Sequence, residues 1–152
     1  MTKKIILHFL MIFIGSFSCT QTFAESSPDE VKDYFQNILK STIKIQRNLI
    51  DFSKDIPEYD RSTYNSVYEV SSSVYSSSKL ISSISSLDPL IDIKYKSNYV
   101  NYIMLEIKDI KKQMNTNVRR LDQLSGSLIR HPGLQRSTKD LTEICIKINN
   151  KF

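Results

Sequence analysis

The sequence predicts an all-α fold: an antiparallel up-down bundle of four helices, the third long or broken and the fourth short. Three observations carry that reading. Apolar residues recur at alternating spacings of three and four along most of the chain. Pro28, Pro57, Pro89 and Pro132, the only prolines, each stand where such a run starts or stops. Glycine is scarce, three in 152 residues, which argues against the many tight turns of a β-sandwich or barrel. Gly15, Gly126 and Gly133 also lie too far apart to form a phosphate-binding loop.

Residues 1–24 read as a secretory signal peptide, cleaved after Ala24. Lys3 and Lys4 supply the positive start, and Ile5 to Ile14 form an apolar run broken only by His8. A polar exit then ends in Thr22-Phe23-Ala24, with small residues three and one before the cut. The apolar run is about half the ~20 residues that a membrane-spanning helix needs. A competing reading makes Cys19 the anchor of a lipoprotein, although Ser16-Phe17-Ser18 lacks the leucine usual three residues ahead. Residues 25–152 are then a single helical-bundle domain, periplasmic or secreted. Of the 21 basic residues two leave with the leader, so 19 face 16 acidic ones, about +3. His131 and Cys145 become the only histidine and cysteine of that domain, which leaves no internal disulfide.

The first helix is expected to start at Ser27-Pro28-Asp29-Glu30, with serine as cap, proline at the first helical position and Glu30 closing a capping box. Its seam is Val31, Phe35, Ile38, Thr42, Ile45, Leu49, Phe52 and Ile56, and Pro57 ends it. A second helix should start near Asp60 or Ser62 and run to Leu87 along Val67, Val70, Val74, Ser77, Ile81 and Ile84. Ten of the sixteen residues from Ser71 to Ser86 are serine, which in isolation suggests a linker. The embedded heptad spacing favours a helix instead, since a linker has no reason to keep a period.

Asp88-Pro89 should open the third helix. Its seam is Ile93, Val100, Ile103, Ile107, Ile110, Met114, Asn117, Leu121, Leu124 and Leu128. Unbroken over 89–130 it would be roughly 63 Å long, so either it overhangs its neighbours or it breaks, at Ser97-Asn98 or Ser125-Gly126. After His131-Pro132-Gly133 the short last helix carries Leu134, Thr138, Leu141, Cys145, Ile148 and Phe152. A tight turn about residue 88 would place Tyr75 near Tyr102 and bring the acidic region 51–65 alongside 112–126.

Little catalytic chemistry is supplied. One histidine and one cysteine make no ordinary zinc site, no Cys-x-x-Cys-His attaches a haem, and no glutamate stands three before a histidine. No cofactor is expected, and no enzyme activity. Cys145 on an apolar seam reads as a buried, inert thiol, with an intermolecular disulfide as the alternative. Asn117 reads as a register-fixing amide, or as the polar wall of a ligand pocket.

Two surfaces remain as binding candidates. Tyr64, Tyr68 and Tyr75 share a flank of the second helix, and Tyr95, Tyr99 and Tyr102 a flank of the third; clustered Tyr and Ser suit protein recognition. Lys111, Lys112, Arg119 and Arg120 belong to a basic stretch suited to anionic lipid or glycan. The reading that follows is an exported, non-enzymatic bundle that binds another exported or envelope protein, as adaptor, inhibitor, chaperone or secretion accessory. Its runner-up is an envelope-associated bundle binding an anionic membrane surface or glycan. Nucleic acid is disfavoured by export, and a homo-oligomer would cover any seam that an overlong third helix leaves bare.

Overall fold

The computed structural model of the chain describes residues 28–87, 90, 92–128 and 131–152. The signal peptide with its Ala24 cut, Cys19, the Ser27 cap and the Asp88-Pro89 helix start lie outside the described residues. Among the described residues there are four helices and no strands: α1 (Pro28–Phe52), α2 (Arg61–Leu87), α3 (Lys96–Leu124) and α4 (Pro132–Lys151). Short 3-10 turns at Glu58–Asp60, Ile93–Tyr95 and Ser125–Leu128 link or extend them. The helices form a bundle in which α1 packs chiefly on α2, and α3 chiefly on α4.

Helix α1 stops at Phe52, five residues before Pro57. The backbone N–H of Ser53 is shared between the carbonyls of Leu49 and Ile50, and the Ser53 hydroxyl donates to the Ile50 carbonyl as well. This tightened turn lets Ile56 fold back into the core while Pro57 opens the next 3-10 turn. Of the two expected breaks one is present. The third run passes into a 3-10 turn at Ser125, as its serine and glycine suggest, whereas the α-helix begins at Lys96 and runs unbroken through Ser97-Asn98.

Every seam residue expected in α4 is buried, and so are Val31, Phe35, Ile38, Thr42, Ile45 and Leu49 of α1. Helix α2 buries Val67, Val70, Val74, Ser77 and Ile81 as expected, and adds Tyr64, Ser71, Ser78 and Ser82. Phe35 stacks on Phe152 with ring centroids 5.5 Å apart, so the start of α1 meets the end of α4. Tyr34 makes the same junction by donating its hydroxyl to the Lys147 carbonyl, 3.1 Å away.

At the opposite end, His131 Nε2 lies 2.8 Å from Asp60 Oδ2, with both side chains largely shielded from water. The Phe52 ring there lies over Gly133, where a side chain would meet it. One end of the bundle is thus closed by a ring and a histidine–aspartate hydrogen bond that tie together α1, the start of α2 and the start of α4.

The pairing of α2 with α3 differs from expectation. Ser77 donates to Gln113, Asn117 to Ser73, and Arg120 to Ser66 and Glu69. As numbers rise on one helix they fall on the other, so the two run in opposite directions. The register is about thirteen residues later than a turn at residue 88 would give. The cause is the connection: α2 ends at Leu87, α3 starts only at Lys96, and a 3-10 turn at Ile93–Tyr95 precedes it. Tyr75 is therefore level with residues near 115, about 20 Å along the helix from Tyr102. Acidic residues do find basic partners on α3 and beyond, but at Glu69–Arg120 and Asp60–His131 rather than between 51–65 and 112–126.

Two stability tests follow from these contacts. The Ser78 hydroxyl is buried without a hydrogen-bond partner. Ser78→Ala removes that uncompensated group and raises helix propensity, so urea melts should show about 1 kcal/mol of stabilisation. Gly133→Ala should cost about 1–2 kcal/mol because its methyl meets the Phe52 ring. In a Phe52→Leu background the same substitution should become neutral or stabilising, a sign change that a double-mutant cycle reads directly.

Candidate functional site

The most unusual surface is the hairpin tip made by the end of α2, the connection and the first half of α3. Asn149 of α4 donates to Asn115 of α3, and α4 ends only two residues later at Lys151. The α3 residues before about 110 therefore extend past α4. Ile110, Met114, Asn117 and Leu121 are buried, whereas the earlier seam residues Val100, Ile103 and Ile107 are only half-buried. Beside them stand apolar side chains that no helix among the described residues covers: Leu90 is 77% exposed, Leu105 64%, Tyr95 56% and Tyr102 50%, with Leu87 and Met104 close behind. A half-turn of apolar side chains in water costs free energy unless something covers it.

The tip carries charges of both signs. Lys94 Nζ lies 4.7 Å from the centroid of the Tyr95 ring, and Lys94 N–H is held by Asp92 Oδ1 at 3.0 Å. Tyr102 pairs with Glu106 one turn on, and that hydrogen bond, with the carboxylate charge, pushes the phenol's pKa up. Tyr99 instead turns inward and donates its hydroxyl to the Ile84 carbonyl at 2.7 Å, fastening α3 to α2.

The structure divides the six tyrosines. Tyr64 is buried and stacks against the half-buried Tyr68 at 6.2 Å between centroids. Burial pushes the Tyr64 pKa up, as expected of a phenol in the core. Tyr75 is half-buried partway along α2. Tyr95 and Tyr102 are exposed at the tip, and Tyr99 is structural. Tyr64 lies near the start of α2 and the tip near its end, about 35 Å away, so the tyrosines form no continuous flank. Sequence reasoning missed Leu87, Leu90, Met104 and Leu105. The signal was present for the last two, which fall off the Ile103–Ile107–Ile110 seam.

The basic candidates also separate. On α3 the buried seam lies opposite Lys112 and Arg119, which point straight outward and are exposed. Lys111 is half-buried on the flank toward α4. Arg120 sits on the other flank, paired with Glu69 and Ser66 of α2. The four residues do not make one patch.

Other chemistry is sparse. Asn117 is buried and bonded to Ser73 at 2.9 Å, as a register-fixing amide should be. A half-open depression of about 170 Å³ lies beside His131, lined by Phe52, Asp55, Ile56 and the start of α4. That volume is below the several hundred Å³ usual for small-molecule sites. Among the described residues no three His, Cys, Asp or Glu side chains are grouped so as to hold a metal ion, and no helix is long and apolar enough to cross a membrane.

These features define a small helical bundle with one closed end and one uncovered apolar end. No family model, no curated protein and no solved structure matches the chain.

Cys145 is wholly buried, and burial pushes its thiol from the ordinary 9.0 up to about 12. In the unfolded chain that thiol ionises near 9.0, so above this pH the unfolded state loses a proton that the folded state keeps. Stability therefore falls as pH rises between the two values, by about 1.4 kcal/mol per unit. Urea melts at pH 8 and pH 10 should show that drop, and Cys145→Ala should flatten it. Ellman's reagent at pH 8 should count one thiol fewer in the native protein than in the unfolded one.

Proposed function

We propose that this chain is an exported, non-enzymatic helical bundle that works by binding another protein through its α2–α3 tip. Export rests on the leader pattern of residues 1–24, and a periplasmic or secreted location follows from it. The observation that carries the binding reading is the apolar surface of Leu90, Tyr95, Tyr102 and Leu105 beyond the end of α4. Among the described residues, Leu87, Leu90, Tyr95, Tyr102, Met104 and Leu105 are exposed together at this end, whereas Ile50, Tyr59 and Ile146 are exposed elsewhere. Aromatic and leucine side chains so grouped are what a protein-recognition surface is made of. The absence of catalytic activity is part of the proposal: the thiol that a nucleophilic mechanism would use is buried and held protonated. An adaptor, inhibitor, chaperone or secretion accessory would each use such a surface.

Replacing Tyr95, Tyr102 and Leu105 together with serine should abolish capture of a partner from an envelope extract and leave far-UV helicity within about a tenth of the parent. The reading is overturned if capture persists. Replacing Tyr64 and Tyr68 should instead lower stability, since one is buried and the other packs on the core.

A second reading keeps the envelope as partner, through the outward line of Lys112 and Arg119. It requires co-sedimentation with anionic vesicles or lipopolysaccharide that disappears between low salt and about 0.5 M salt.

A further inference from the structure

We infer that the uncovered half of α3 is a self-complementary face on which a second copy of this chain docks, antiparallel, across a twofold axis close to Tyr102. The inference rests on the protein-binding reading above and names its partner.

Three observations lead to it. First, the bare surface is helical and faces solvent. By helical spacing Leu105 lies on the outward line of Lys112 and Arg119, and Tyr102 between that line and the α2 flank, so a helix from elsewhere has room to lie along it. Helical positions 95, 98, 102, 105 and 109 alternate in spacing by three and four and form a second stripe, turned away from the core seam. Tyr95, Tyr102 and Leu105 supply its apolar members, all at least half exposed.

Second, the charge along this stripe is self-complementary. Lys94 stands at one end and Asp109 at the other, fifteen positions apart, with Tyr102 at their midpoint. When two such segments lie antiparallel about that midpoint, Lys94 of each copy comes beside Asp109 of the other, and the two Tyr102 rings meet. A twofold contact needs such a pattern, because each side must complement itself. The opposite signs also weigh against an anionic membrane as occupant. Asp92, Glu106 and Asp109 would face the lipid headgroups together with Lys94 and Lys108.

Third, the area suffices for a reversible pair. Leu90, Tyr95, Tyr102 and Leu105 present on the order of 500 Å² per copy, about 1,000 Å² for two, at the lower edge of specific interfaces.

The test uses the full chain with Cys19→Ser, so that Cys145, which is buried, is the only remaining native thiol. Light scattering at about 100 µM and low salt should give twice the mass of one chain. Leu105→Glu should return the mass of one chain with helicity unchanged. Lys94→Glu alone, or Asp109→Lys alone, should weaken association several-fold, and the two together should restore it to within about twofold. Tyr102→Cys should form a disulfide-linked pair under mild oxidation. Tyr95→Cys should not, because its two copies would be about 20 Å apart.

A single-chain mass at 100 µM overturns the inference, as does a pair that tolerates Leu105→Glu or is not restored by the double charge swap. A single-chain mass together with loss of partner capture in Leu105→Glu would sink this inference and leave the protein-binding reading standing. Unchanged capture would sink that reading as well.

Discussion

The bundle depends on a helix whose buried face mixes serine with valine and isoleucine. Helix α2 touches each of the other three, and its small side chains let α1 lie along it more extensively than any other pair in the fold. A serine in a core costs free energy if its hydroxyl has no acceptor. Buried Ser71 turns its hydroxyl back on its own helix, as do Ser72, Ser85 and Ser86 nearer the surface, whereas buried Ser77 donates to Gln113 and buried Ser78 has no partner. Ser71 and Ser72 both donate to the Tyr68 carbonyl, Ser85 to Ile81 and Ser86 to Ser82. Thr42 in α1 and Thr138 in α4 do likewise. So satisfied, a buried serine packs almost as alanine does, and the poor helix propensity of serine is offset by the burial of Val67, Val70, Val74 and Ile81 beside it.

The two ends of the molecule are built on different terms. One is closed by Phe52 over Gly133 and by the Asp60–His131 pair, contacts that join three helices at a single level. The other is open because α3 is 29 residues long and α4 only 20. A length mismatch of nine residues, about 13 Å, has to leave helix uncovered somewhere. The closed end places all of it at the α2–α3 tip, where the seam residues Val100, Ile103 and Ile107 are only half-buried.

Much of this was legible in the residues. Pro28 and Pro132 open the helices that the sequence predicts at those points, and all six apolar or small seam positions of α4 are buried. The overlong third run was visible as a seam with no matching partner. The α2–α3 register was not, because it is set by how many residues the connection consumes, and hydrophobic periodicity does not report that number. The buried serines Ser71, Ser78 and Ser82 were hidden for another reason: serine counts as polar in any apolar pattern, so a serine facing the core looks like one facing water. The tyrosines misled in the same way, since Tyr64 and Tyr102 carry equal weight in a sequence pattern while one is in the core and the other at the tip.

The serines that bond their own helix have a consequence for how this chain tolerates change. A hydroxyl satisfied within one turn makes no demand on any residue elsewhere, so exchange among serine, alanine and threonine at those positions is nearly unconstrained by the rest of the protein. Ser73 and Ser77 are different: their hydroxyls reach Asn117 and Gln113 across the interface. At Ser72, Ser85 and Ser86, which are not in the core, composition is therefore free to drift while the shape persists, and the alignment of two helices is held by a few polar cross-links that must change together or not at all.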